Sequence, residues 1–279
     1  MALYITSLNS GSNGNCYYVG NQHEAVLIDA GIPCMETEKR LSRLGLSFEK
    51  IKAVFISHEH TDHTYGAEVI SRRYQIPVYI SEATHAHSRL KLDEKLVQPL
   101  KAYQPVHFGE LCVNAFSKRH DACEPYSFTV TGEGITIGIF TDIGSPCEQV
   151  IQNFRLCHAA FLEANYDEVM LESGRYPRFL KNRIRGDYGH LSNRQALELF
   201  SRHGPPFMTH LLLSHLSQEN NNPQLVQDLF MKQAGGTHIT IASRYEESAV
   251  HCIYGGYSAV QPGRVQAPAV FPTQLSLRF

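Results

Sequence analysis

The chain has 279 residues, 43% hydrophobic and 19% charged, which supplies a sizeable core and excludes global disorder. Its net charge of −2 excludes an overall field that draws in polyanions, so nucleic-acid affinity would have to come from a local patch. Seven cysteines without a C-x-x-C pair argue against a disulfide framework or a thiolate zinc site, and no window is long enough to span a bilayer; a soluble, cytoplasmic protein without membrane contact is expected.

In chain order, residues 3–8 and 16–19 read as strands around the polar loop Asn9-Ser10-Gly11-Ser12-Asn13-Gly14-Asn15. Such a loop is rich in free N–H groups and can cradle an anion, with Ser12 and Asn13 at its crown, or it is a plain hairpin turn. A strand over 24–28 ends in Asp29-Ala30-Gly31, where Asp29 either caps the turn or orients a ligand histidine. Residues 35–44 form an amphipathic helix stopped by Gly45. The apolar, β-branched run 51–56 is a buried strand feeding Ser57-His58-Glu59-His60-Thr61-Asp62-His63, and a helix follows to about Tyr74. Next come a strand over 77–80 and a helix over 82–98, on which His85 and His87 are surface or supporting residues. Strands near 111–116, 126–131 and 135–140 follow, with a hairpin at Gly132-Glu133-Gly134. His120 lies in the loop after the first of these strands, and Asp142 just past the third.

The second half opens with a strand from Ala159 that carries Glu163 and runs into a helix start. Residues 175–185 then hold five cations, Arg175, Arg178, Lys181, Arg183 and Arg185, with two aromatics and no acid. Basic side chains neutralise phosphates and aromatic rings stack bases; the plain alternative is a solvated helical face. His190 precedes a helix capped by Ser192 or Asn193, and a buried strand over 211–217 contains His215. A helix over 222–234 and strands over 237–242 and 248–253 complete the pattern. The tail from Gly255, with Pro262, Pro268 and Pro272, reads as a loosely docked strap. No repeat or linker interrupts the chain, so residues 1–279 are expected to form one domain.

Three imidazoles and a carboxylate within six positions on the turn leaving a strand suit divalent metals such as zinc, manganese or iron. His58 and His60 can converge on one ion while Asp62 and His63 turn towards a second. The motif H-x-H-x-D-H resembles the metallo-β-lactamase superfamily, and the order of the later motifs, from residue 4 to about 253, looks most like its YycJ/WalJ-like branch. That resemblance implies an α/β fold, an αββα sandwich of two mixed sheets with helices on the outer faces. It further implies two ions, with His120 completing a site with His58 and His60, Asp142 bridging, and His215 joining Asp62 and His63. An aspartate at the bridging position, where lactam-hydrolysing members carry cysteine, suits harder ions and phosphate esters.

Glu163 and His190 are similar in position to an acid and a histidine that protonate the departing oxygen in the superfamily's tRNA-maturation endonucleases. The match of Glu163 is looser, since the family's preceding histidine is Leu162 here. The implied activity is a two-metal phosphodiesterase acting on nucleic acid, DNA favoured over RNA, and a DNA exonuclease in particular. A water activated between the cations would be deprotonated by Asp62, and His190, held by Glu163, would protonate the leaving oxygen. Ser12, Asn13 and the 175–185 cations would hold flanking phosphates. The alternatives are a glyoxalase II-type thioesterase and a metal-held regulatory module with little catalysis.

Overall fold

The computed structural model describes residues 2–255; residues 256–279, which hold the expected strap, lie outside the described residues. The first half of the chain runs β1 (Ala2–Asn9), β2 (Cys16–Gly20), β3 (Ala25–Ile28), α1 (Cys34–Arg43), β4 (Ile51–Phe55), α2 (Thr61–Thr64), α3 (Ala67–Tyr74), β5 (Val78–Ile80), α4 (Glu82–His87) and β6 (Val97–Pro99). The second runs β7 (Val106–Phe108), β8 (Leu111–Ser117), β9 (Tyr126–Gly132), β10 (Ile135–Phe140), α5 (Glu148–Phe154), β11 (Ala159–Glu163), α6 (Glu168–Ser173), α7 (Arg178–Arg185), α8 (Asn193–His203), β12 (His210–Ser214), α9 (Pro223–Met231), β13 (His238–Ile241) and β14 (His251–Tyr254).

The strands build two seven-stranded sheets, in the orders β14-β1-β2-β3-β4-β5-β6 and β13-β12-β11-β10-β9-β8-β7. Each sheet is antiparallel up to one strand and parallel beyond it. Pairings through β1, β2 and β3 are antiparallel, and those from β3 to β6 parallel. The other sheet switches at β10 in the same way. The cause is connection length: short turns join β1 to β3 and β8 to β10, whereas α1 and α5 cross over after the switch strands. Ligand sites in open α/β sheets form beyond the carboxyl ends of strands. Both switch strands here exit into an aspartate, Asp29 and Asp142, in left-handed conformation (φ 60 and 53).

The core has three layers. Between the sheets lie Ile5, Tyr17, Phe55, Phe128, Ile137, Phe161 and Leu212. Leu41, Ile56 and Ile70 pack α1 and α3 on one outer face, and Phe140, Phe154, Leu199 and Phe230 pack α5, α8 and α9 on the other. Among the described residues no helix is long and apolar enough to cross a membrane.

One expected element is corrected. The helix expected over 82–98 stops at His87, because Ser88 turns extended, and Leu90 and Leu92 pack against the core beneath α1 and α3. The chain then supplies the parallel edge strand β6. Short strands β6 and β7 and the helix α5 had no expectation, because three-residue strands carry too little periodicity to read.

The loop after β3 is locked to the metal-motif turn through its backbone. Ala30 N–H donates to His63 O (2.9 Å), Gly66 N–H to Ala30 O (2.7 Å), and Asn15 N–H to Asp62 O (2.7 Å). Gly31 is obligatory there: a Cβ would fall 1.7 Å from the Asp62 carbonyl oxygen. Gly31→Ala is expected to cost about 1–3 kcal/mol of stability, as overpacking does, measured by denaturant unfolding. A variant of wild-type stability would show that the loop relaxes freely.

Candidate active site

The motif turn is braced by one buried carboxylate. Asp29 accepts from Ser57 N–H (2.8 Å), from Ser57 Oγ–H (2.9 Å) and from His63 Nδ1 (2.7 Å). The bond to His63 Nδ1 leaves Nε2 pointing into the site, so of the two sequence roles open to Asp29, the orienting one is what the geometry displays. His58 Nδ1 meets Ser57 Oγ (2.9 Å), and its Nε2 lies 3.0 Å from His60 Nδ1. His120 Nδ1 bonds the Gly189 carbonyl (3.2 Å). His63 and His120 therefore each have one nitrogen committed to structure and the other facing the cluster, while His58 Nε2 and His60 Nδ1 face each other.

Those inward atoms converge. The ligand atoms of His58, His60 and His120 lie within 4.8 Å of one another, and so do those of Asp62, His63 and His215. Asp142 groups with His58 and His63 on one side and with Glu163, His190 and His215 on the other, so it stands between the two. All seven residues expected as metal ligands are thus brought together from β4, the β8–β9 loop, β10 and β12. His85 and His87 stand apart; His87 Nδ1 bonds the Ala83 carbonyl of its own helix.

The donor set fits divalent ions. His120 Nε2, His215 Nε2 and Asp142 Oδ2 are buried without hydrogen-bond partners, although Asp142 Oδ2 lies 3.1 Å, out of alignment, from His63 Nε2. Buried lone pairs left unpaired are costly, and cations held by the cluster would satisfy them. The charges agree. Burial lowers His120 to a pKa of about 4, leaving a neutral ligand. Burial would also lower His63 and His215, but the surrounding carboxylates, Asp142 foremost, outweigh it and raise both, His215 to about 10. Asp142 itself, despite burial, is held well below the ordinary carboxylate range by His215 and His63. Without an ion the site fills its charge deficit with protons.

Glu163 ends β11 fully buried and receives four donors. Oε2 accepts from the N–H of Ile143 (2.8 Å) and of Leu191 (3.1 Å); Oε1 meets His190 Nδ1 (2.8 Å) and His215 Nδ1 (3.1 Å). Burial raises its pKa, but His190 and these bonds hold it at about 2. His190 leaves its Nε2 uncommitted and stands 3.7 Å, through Nδ1, from Asp142 Oδ1. The looser sequence match of Glu163 is therefore placed as a partner of both His190 and a metal-ligand candidate.

A cleft of about 350 Å³ opens over this cluster, lined by His60, Asp62, Asp142 and His190 on one wall and by Tyr176 and Arg183 on the other. The fold delivers the basic stretch unevenly. Arg183 reaches the cleft and is clamped to Asp121 by Nε and Nη2 (2.5 Å each). Arg185 pairs with Glu172 (2.6 Å), whose carbonyl takes the Lys181 ammonium. Arg175 and Arg178 are exposed, away from the cleft lining. Of the loop candidates, Ser12 lines the cleft, while Asn13 does not and donates to the Arg244 carbonyl (2.8 Å).

Sequence reasoning missed Asn15, whose amide reaches Asp62 Oδ2 (3.2 Å) and His63 Nε2 (3.1 Å), and Asn165, which bonds His215 at Nδ1 (3.2 Å) and O (2.8 Å). It also missed Lys118, buried beside the cluster with Nζ–H donated to Thr141 O (2.7 Å). Asn15 lay in a loop already singled out; no local signal marked the other two.

Known proteins decide the family. A relative, the exodeoxyribonuclease YycJ of Bacillus anthracis, is 32% identical over 232 residues, covering 81% of this chain and 87% of its own. The chain belongs to the metallo-beta-lactamase superfamily. The superfamily's sequence model matches residues 10–144. The exodeoxyribonuclease WalJ of Streptococcus pneumoniae (serotype 2, strain D39) is 29% identical over 231 residues, 81% of this chain and 86% of its own. Among solved structures, the metallo-beta-lactamase fold protein YhfI of Bacillus subtilis superposes with a TM-score of 0.69, covering 90% of this chain and 100% of that one at 16% identity. The αββα sandwich of the superfamily is therefore the fold of this chain.

Asp29→Asn should lower metal affinity about 10–100-fold, since it unsettles His63 without touching a ligand atom; competition with a chromophoric chelator measures it. Unchanged affinity would free Asp29 of that role. A second expectation concerns the chelated protein. A raised folded-state pKa stabilises fully below the unfolded value of 6.5 and loses that contribution as pH rises towards about 10. The acids of the site contribute steadily across that window, so the stability of metal-free protein should decline from pH 6.5 to 10, and less steeply in His215→Gln. Thermal unfolding across that range reads it; a flat profile in the wild type contradicts the charge assignment.

Proposed function

We propose that this chain is a dinuclear metal-dependent nuclease that hydrolyses phosphodiester bonds of DNA from strand ends. The observation that carries this reading is the position of His190: its Nδ1 is fixed by a buried carboxylate, and its ring faces an open cleft beside the ligand cluster. The names of the two relatives, both exodeoxyribonucleases, favour DNA and end-directed cleavage.

His58, His60 and His120 would hold one ion and Asp62, His63 and His215 the other, with Asp142 between them. Two such ions would supply Lewis acidity for activating a water and positive charge for the attacking and leaving oxygens. Asp62 is the most exposed of the carboxylates in this cluster, its side chain 23% accessible, and with Oδ2 held by Asn15 it takes up the attacking water's proton through Oδ1. His190 Nε2–H donates to the departing alkoxide. Glu163 stays ionised and accepts from the opposite ring nitrogen, which fixes the ring with Nε2 towards the departing oxygen. Arg183, rigidly held by Asp121, meets the phosphate next to the scissile one, and Tyr176 offers a ring to a base. A strand continuing over α7 would reach Arg175 and Arg178.

His190→Ala should retain metal content yet lose about 10²–10⁴-fold in turnover of DNA. Zinc- and manganese-loaded enzyme should degrade end-labelled linear DNA faster than RNA and spare circular DNA. Hydrolysis of acyl thioesters with none of DNA would establish the glyoxalase-type alternative instead, and full activity in His190→Ala would remove its role as acid.

A further inference from the structure

A second cavity adjoins the cleft. It has a volume of about 250 Å³ and shares the Leu216–Ser217 wall with it, and its far side is made by Ile241, Arg244 and Tyr245. Arg244 stands at the junction. Its Nη1 donates to Gln218 (2.8 Å) and its Nη2 to Ser12 Oγ (3.0 Å), the residue that lines the metal cleft. Its Nε is buried without any acceptor. The Gln218 and Ser12 acceptors are both neutral, so among the described residues the guanidinium charge lacks an anionic oxygen, which a phosphate in the pocket would supply. Glu247, an acid from the same segment, does not supply it, being bound to Arg43 (2.6 Å).

Tyr245 is 73% exposed, so its ring face is open to stacking. The backbone beneath it is fixed. Its carbonyl accepts from the buried Arg40 Nη2 (2.9 Å), its N–H donates to Ser243 Oγ (3.0 Å), and Ser10 N–H bonds the Ser243 carbonyl (3.0 Å). The ring is thus presented on a rigid support, with Ile241 and Leu216 as apolar surface nearby.

We propose that this side pocket seats the terminal nucleotide of the strand being cut, Arg244 holding a phosphate oxygen and Tyr245 stacking on the base. The assignment rests on the nuclease reading and extends it: a pocket for one nucleotide beside the metals explains cleavage counted from an end. Ser12, joined to Arg244, couples the pocket to the cleft where the scissile phosphate lies.

The test uses the full-length, metal-loaded protein with two substrates, a short single-stranded oligodeoxynucleotide and bis-p-nitrophenyl phosphate, which has no nucleotide to fill the pocket. Arg244→Ala and Tyr245→Ala should each raise KM for the oligonucleotide about tenfold, and the ratio of oligonucleotide to bis-p-nitrophenyl phosphate turnover should fall by a similar factor. A deoxynucleoside monophosphate should inhibit bis-p-nitrophenyl phosphate hydrolysis competitively in the wild type and about tenfold more weakly in both variants. Tyr245→Ala, altering an exposed ring, and Arg244→Lys, keeping the charge, guard against misfolding of Arg244→Ala. If both substrates lose turnover in step, or the mononucleotide binds wild type and variants alike, the pocket assignment is overturned. If the wild type cuts no DNA while mononucleotide inhibition still depends on Arg244, the nuclease reading fails and the pocket stands as a nucleotide site.

Discussion

The Glu163 carboxylate is the interaction on which the site depends. It is fully buried and its four donors come from three separate stretches: the turn after β10, the segment before α8 (His190 and Leu191) and His215. Removing it would strand two backbone N–H groups and loosen a ligand candidate and the proposed acid together. Asp29 does the equivalent work in the other sheet, where it fixes Ser57 and His63. Each sheet therefore contributes one buried carboxylate that touches no substrate and sets the direction of imidazoles. Orientation by outer partners is what turns a cluster of histidines into a coordination site.

Four carboxylates, Asp29, Asp62, Asp142 and Glu163, crowd this small volume, with Lys118 the buried ammonium beside them. Burying like charges is unfavourable unless cations intervene. Protonation of His63 and His215, favoured by these carboxylates, is one remedy, and divalent metal would be the stronger one. Stability and cofactor retention are therefore linked: the arrangement that makes the empty cluster electrostatically poor is the one that makes it a good ligand set.

Much of this was legible because the decisive residues are local. His58, His60, Asp62 and His63 sit on one turn after a β-branched run, whereas His120, Asp142 and His215 stood out through the family resemblance, the last two also closing apolar runs that read as strands. The strand positions of both sheets follow from the same alternation. The environment of each residue was not legible. That Asp121 and Glu172 would neutralise cations of the 175–185 stretch required tertiary packing, since both acids lie outside the run. Arg244 carries no sequence signal, because its meaning comes from a loop more than 200 residues earlier. The helix expected over 82–98 failed for a physical reason: Leu90 and Leu92 are needed by the core beneath α1 and α3, and packing overrode the local period.

Three residues of the cluster share a backbone oddity that explains how strands end in ligands. Asp29, Asp142 and His215 all adopt left-handed φ (60, 53 and 56), each directly or almost directly after a strand of the switch region, β3, β10 or β12. Glycine would take this conformation with least strain but brings no ligand or orienting group. Aspartate tolerates it better than most residues; histidine is also enriched there, and each such conformation costs of order 1–3 kcal/mol. Compensation is visible at two of these positions: Asp29 through its bonds to Ser57 and His63, and His215 through Asn165, Glu163 and its N–H to Ser10 Oγ (2.7 Å). Asp142 has less, with Oδ2 unpartnered, so the strain there has its counterweight in whatever cation the cluster binds. Metal binding and the sharp strand exits are two sides of one geometry, and the site is held taut by the residue that has most to gain from the ion.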